Sequence, residues 1–80
     1  MPESEDIAIT SDVIRLGQLL KFAGLAESGA HAAAIIADGE VRVNGETETR
    51  RGRQLRPGDV VSIATPAGAL ELRVTADDPA

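Results

Sequence analysis

Four arginines, Arg50, Arg51, Arg53 and Arg56, stand within seven consecutive positions of a chain whose formal net charge is −5. A guanidinium is a planar fork that donates paired hydrogen bonds to phosphate or carboxylate oxygens and stays charged at any relevant pH. Gathered in one segment, such groups suit a polyanion. Paired off with Glu46, Glu48 and Asp59 they would form a solvated surface in which each pair contributes about 0–1 kcal/mol. For four cations in one loop beside a predicted hairpin the two readings stand about even on the residues alone, and folded RNA is the polyanion expected under the first.

Further candidates flank the cluster. Ser28-Gly29 precedes a predicted helix, and a helix N-terminus exposes unpaired N–H groups and a partial positive charge suited to phosphate. Ser28 also serves there as a simple N-cap. His31, the single histidine, lies one turn into that helix. Arg42 stands between two valines that must point inward, so its own side chain points out. Asn44-Gly45 is a tight-turn dipeptide whose tip could reach sugar or phosphate. Lys21 lies off the apolar stripe of the first predicted helix. The chain has no cysteine and one histidine, which gives a metal site no ligand set, and no cofactor is expected. No Ser/His/Asp set and no phosphate-cradling P-loop is present, so catalysis is not expected. Phe22 is the sole aromatic residue. Without an aromatic platform for bases, recognition should go through backbone and shape.

The charge is unevenly distributed. Residues 1–12 carry Glu3, Glu5, Asp6 and Asp12 with no base, giving −4, and residues 76–80 add −2. The interior holds eight bases and seven acids and is locally basic. With a Debye length of about 8 Å at physiological salt, the local patch outweighs the distant total. Eighty residues suit one domain. Residues 1–6 are expected to be a disordered acidic tail, 7–75 the domain, and 76–80 a frayed acidic end. An acidic start and the lack of a long apolar run argue against a signal peptide or a membrane span, so a cytoplasmic protein is expected. A monomer is expected as well.

The elements that must position these groups follow from pattern. Ile7–Thr10 alternates as a short strand, and Thr10, Ser11 and Asp12 are cap candidates. Leu16, Leu19, Leu20 and Ala23 form the stripe of an amphipathic helix that Gly24 ends, with Leu25 as its apolar contact. Ala30–Asp38 predicts a second helix closed by Gly39. Val41–Val43 and about Thr47–Arg50 should pair around Asn44-Gly45. Arg56-Pro57-Gly58-Asp59 reads as a turn. Val60–Ala64 and Ala69–Val74 should be strands around Thr65-Pro66-Ala67-Gly68, with Leu70, Leu72 and Val74 on one face. The fold class expected is α+β: two short helices packed on a small, mostly antiparallel sheet of about four to five strands.

The ordered series Leu16…Leu19-Leu20…Gly24-Leu25…Ser28…Ala32…Ile35-Ile36…Gly39-Glu40-Val41-Arg42-Val43-Asn44-Gly45 resembles the S4 RNA-binding domain. The following Glu48-Thr49-Arg50-Arg51-Gly52-Arg53 and Pro57-Gly58-Asp59 resemble the small stand-alone, ribosome-associated members of the YaaA/RlbA type. The likeness covers roughly residues 7–64. It implies the αL motif, two helices on a small sheet, with RNA held across the helix pair and the neighbouring hairpin. It also implies binding without catalysis, to ribosomal RNA or a ribosome assembly intermediate. The family commonly has a basic residue where this chain has Gly29, and often lysine where it has Ala33. His31 would compensate only when protonated. Binding is therefore expected to centre on the hairpin, led by Arg42, Arg50, Arg51 and Arg53, with Lys21 assisting.

Two other classes compete. A protein-interaction module on the ribosome would need no RNA. The Val43-Asn44-Gly45-Glu46 and Pro57-Gly58-Asp59-Val60-Val61 segments also resemble β-grasp sulfur carriers, but those end in Gly-Gly, whereas this chain ends Asp78-Pro79-Ala80. An RNA-modifying enzyme would need a catalytic group in a pocket that so small a core scarcely encloses.

Overall fold

Two short helices lie against one face of a twisted sheet, and the hydrophobic core fills the space between them. The computed structural model describes residues 3–66 and 68–77. In chain order the elements are β1 (Glu3–Ile9), β2 (Ile14–Arg15), α1 (Leu16–Phe22), α2 (Gly29–Ala37), β3 (Val41–Val43), β4 (Glu46–Thr47), β5 (Gln54–Leu55), β6 (Val60–Thr65) and β7 (Gly68–Ala76). Five strands form the main sheet in the order β1-β7-β6-β3-β4, while β2 and β5 make a separate two-stranded ladder. All the pairings are antiparallel except β1 with β7. The α+β expectation holds.

α1 has seven residues, too few to be stable alone in water. It persists because Leu16, Leu19 and Leu20 are fully buried against Ile36 of α2 and the sheet residues Val41, Val61, Leu72 and Val74. Small residues let the helices approach: a Cβ built on Gly17 would stand 4.0 Å from that of Ala32. α1 ends as its sequence indicates. Gly24 takes φ +78° and the Leu25 N–H donates to Leu20 O at 2.9 Å, the closing bond of a Schellman turn. The β3–β4 connection places Asn44 at φ 51° and Gly45 at φ 88°, the paired left-handed conformations of a type I′ turn.

Three expectations need correction. First, Glu3–Asp6 is not a tail but the first half of β1, which runs parallel to β7 from Glu3 opposite Leu70 to Ile9 opposite Ala76. The long edge of β7 supplies backbone partners whatever the side chains, and a charged edge strand resists further pairing. At the other end, Ala76 closes β7 and the Asp77 N–H donates to Ile9 O at 2.8 Å, so the start of the expected frayed end is paired too. Met1, Pro2 and Asp78–Ala80 lie outside the described residues, as does Ala67 of the β6–β7 turn. Second, α1 is not capped at Thr10, Ser11 or Asp12: β2 intervenes and Arg15 is the N-cap residue. Third, the strand paired with β3 is Glu46–Thr47 rather than Thr47–Arg50. The chain leaves the ladder after Glu48, whose N–H still reaches Val41 O at 2.9 Å, because the Glu48 side chain turns inward.

Leu20 is one of the three leucines of α1 that are fully buried in the core. Leu20→Ala is expected to cost about 2–5 kcal/mol, read as a lower urea midpoint with an unchanged slope.

Candidate nucleic-acid interface

The arginine loop is built into the fold by backbone bonds. The first N–H groups of a helix have no partner within it. In α1 they find the loop instead: Leu16 N–H donates to Arg53 O at 2.8 Å and Gly17 N–H to Arg51 O at 2.9 Å. Gln18 adds a weak local cap, its Oε1 accepting from Arg15 N–H at 3.4 Å. The β2–β5 ladder clamps the same two segments from the other side, with Arg15 opposite Gln54 and Ile14 opposite the buried Leu55.

Glu48 shapes the loop from within. It is 7% exposed, and its carboxylate accepts from the backbone N–H groups of Thr49 and Arg50, from Arg50 Nε at 3.1 Å and Nη2 at 3.3 Å, and from Arg53 Nη1 at 2.9 Å. The hydrogen bonds from Arg50, then those from Arg53, draw the carboxyl down from 4.5 to about 2. One carboxylate holding two guanidinium groups leaves the cluster a net charge of +1. The Arg50 side chain is still 74% exposed, whereas that of Arg53 is 36% exposed.

Arg51 is differently placed. With Arg15, Gly17, Gln18, Lys21, Gly29 and Gly52 it lines an open cleft of about 220 Å³ between α1, the start of α2 and the loop. Arg15, Lys21 and Arg51 bring three cations to this cleft, and among the described residues no carboxylate lines it. Among the described residues none of the three is ion-paired. α2 presents its N-terminus here. Ser28 Oγ accepts from His31 N–H at 3.1 Å, and His31 Nδ1 accepts from Glu27 N–H at 3.1 Å. The Ser28 side chain thus caps α2, and the His31 ring ties down the residue before the cap.

The remaining candidates lie elsewhere or are already occupied. Arg42 pairs with Ser62, which pairs with Glu71, on the sheet face opposite the buried row of Val41 and Ile63. The pleat therefore sets Arg42 on the far side of the sheet from the helices. Both ends of the Asn44 side-chain amide are engaged, Nδ2 donating to Asp59 Oδ1 at 3.1 Å and Oδ1 accepting from Val60 N–H at 2.9 Å. Asp59 also accepts from Arg56 N–H at 2.8 Å, and this bond, followed by that from Asn44, lowers its carboxyl below the usual range. Asn44 and Asp59 thus lock the hairpin tip to the Arg56–Asp59 turn, with the Arg56 side chain left exposed. Of the residues singled out from sequence, the structure brings Lys21, Gly29 and Arg51 together, keeps Ser28 and His31 as the adjoining cap, and separates Arg42.

A family model of the S4 domain matches residues 7–70. The chain belongs to the S4 domain family. Relatives include a Bacillus subtilis (strain 168) protein named "Probable ribosome maturation protein RlbA", 47% identical over 57 residues that make up 71% of this chain and 80% of that one. Escherichia coli (strain K12) has a "Putative RNA-binding protein YbcJ", 45% identical over 51 residues, 64% of this chain and 73% of that one. The chain is a small S4 domain protein of the same kind as these two.

This S4 domain draws on two residues that pattern reading passed over. Arg15 precedes the apolar stripe of α1, where no pattern marks it; it is the N-cap residue of α1 and lines the cleft. Glu48 was legible as a possible arginine partner, but not as a buried one. Among the described residues no helix is long and apolar enough to cross a membrane, and no group of three or more His, Asp or Glu is placed to hold a metal ion.

The Glu48 shift carries a pH dependence. Its carboxyl is lowered in the folded state, so its contribution is fully present above the ordinary value of 4.5 and is lost as pH falls through about 2. Glu48→Gln should lower stability by about 1–2 kcal/mol at neutral pH. In urea titrations the gap between wild type and variant should narrow as the solution is acidified across that window.

Proposed function

We propose that this S4 protein is a non-catalytic binder of structured RNA, holding backbone phosphate in the cleft formed by Arg15, Lys21, Arg51 and the start of α2. The observation that carries this reading is the convergence of three cations and a helix N-terminus on a concavity that, among the described residues, no carboxylate lines. Helix N–H groups and guanidinium forks both favour phosphate, and neither reads base identity. Arg50 and Arg53, held by Glu48, form the neighbouring rim and contribute less. The lining offers hydrogen-bond donors but no carboxylate, histidine or hydroxyl for general acid–base or nucleophilic chemistry. The names of the relatives, one concerned with ribosome maturation and one with RNA, support ribosomal RNA or an assembly intermediate as the ligand. The protein acts in this reading as a cytoplasmic monomer.

Salt titration of binding to a ribosomal RNA hairpin tests the cleft. Arg15→Ala, Lys21→Ala and Arg51→Ala should each weaken binding and lower the slope of log K against log salt by about 0.7–0.9, one phosphate contact apiece. Arg42→Ala, on the far side of the sheet, should leave the slope unchanged. If Arg42→Ala reduces it while Arg51→Ala does not, the cleft assignment is wrong.

Gly29 gives the converse prediction. A Cβ there would meet nothing within 4 Å. Gly29→Arg should therefore fold normally, raise affinity, and steepen the same slope by about 0.7–0.9.

A further inference from the structure

Phe22, the sole aromatic residue, is not in the core: it is 69% exposed at the C-terminal end of α1. Among the described residues no other large hydrophobic side chain is so exposed. With Gln18 and Lys21 it forms an open depression of about 310 Å³, and those same two residues also line the cationic cleft. One continuous surface on α1 therefore runs from Arg15 and Arg51, through Gln18 and Lys21, to an exposed aromatic ring.

The two ends of this surface favour different parts of a nucleotide. The start of α1, with Arg15 and Arg51, suits phosphate. At the other end, the carbonyl oxygens of Leu20 and Lys21 are closed by the N–H groups of Leu25 and Gly24, and beyond Lys21 the depression offers, among the described residues, no further cation to phosphate. An aromatic ring beside an ammonium group at that end instead suits the π-face of a base, and the Gln18 amide can hydrogen-bond a base edge. A fully stacked duplex has no such face to offer. We propose that Phe22 is a stacking platform for one unpaired base, so that this S4 domain prefers an RNA helix carrying a bulged or flipped-out nucleotide beside the backbone segment held in the cleft. The proposal rests on the RNA-binding reading and narrows its ligand. It also revises the expectation that the chain lacks an aromatic surface for bases.

Two RNA hairpins of one stem sequence test it, the first fully paired and the second carrying a single bulged 2-aminopurine, each titrated by fluorescence anisotropy. Wild type should bind the bulged hairpin more tightly and quench the 2-aminopurine as it stacks. Phe22→Ala should weaken binding to the bulged hairpin on the order of 10-fold, abolish the quenching, and leave binding to the paired hairpin and the salt slope unchanged. Phe22→Leu, which keeps an apolar side chain without a π-face, should also lose the quenching. Equal binding of the bulged hairpin by wild type and Phe22→Ala overturns the proposal, as does undiminished binding by Phe22→Leu. In either case salt-dependent binding of both hairpins leaves the phosphate cleft standing. A concentration-dependent dimer that Phe22→Ala abolishes assigns the ring to a second copy of the chain and also overturns it. Failure of wild type to bind either hairpin removes the RNA-binding reading and this one together.

Discussion

Leu16 and Gly17 begin α1 with N–H groups that have no helical partner, and they take carbonyl oxygens from Arg53 and Arg51. A buried donor left without an acceptor costs about 1–3 kcal/mol, so a helix of seven residues depends heavily on such bonds. The arginine loop is therefore not an appendage with positive charge on it. It is the N-terminal cap of the first helix, and its cationic side chains are positioned as a consequence. A change that frees the loop also frees the start of α1, whose leucines fill much of the core.

Glu48 gives the loop its shape and divides its arginines into two kinds. Arg50 and Arg53 converge on the carboxylate, whose burial would be unfavourable without their hydrogen bonds. Arg51 faces the opposite way, towards α1 and α2, where it meets Arg15 and Lys21. Like charges brought together repel, and among the described residues no carboxylate lines the cleft to relieve them, so an anion bound there would relieve the repulsion. The acidic residues of β1 stand on the sheet edge opposite the hairpin strand β4. A chain of net charge −5 can thus present a locally cationic cleft because charges beyond a Debye length are largely screened.

Much of the fold was legible in local chemistry. Gly24 and Gly39 mark helix ends by taking φ values of +78° and +79°, and Ser28 caps α2 as its type and position indicate. Asn44-Gly45 specifies the hairpin, and the apolar alternation identifies β6 and β7. The candidate site was legible in kind but not in membership. Arginine density pointed to the loop, yet pattern could not tell Arg51, which faces the cleft, from Arg50 and Arg53, which Glu48 holds. It placed Arg42 outward correctly without showing that outward means the face of the sheet away from α1 and α2.

What the sequence by itself determined was a family, two helices with their stops, a tight hairpin and a concentration of guanidinium groups, because caps, turns and periodicity are written within a few residues of where they act. Only the tertiary structure decided that Glu3–Asp6 pairs with β7, that residues 14–15 pair with residues 54–55, and that Arg15, Lys21, Arg51 and Phe22 share one surface. The strand pairings, and the bond from Gly17 N–H that brings Arg51 to α1, join residues far apart along the chain through the backbone, which any side chain permits and no local pattern records.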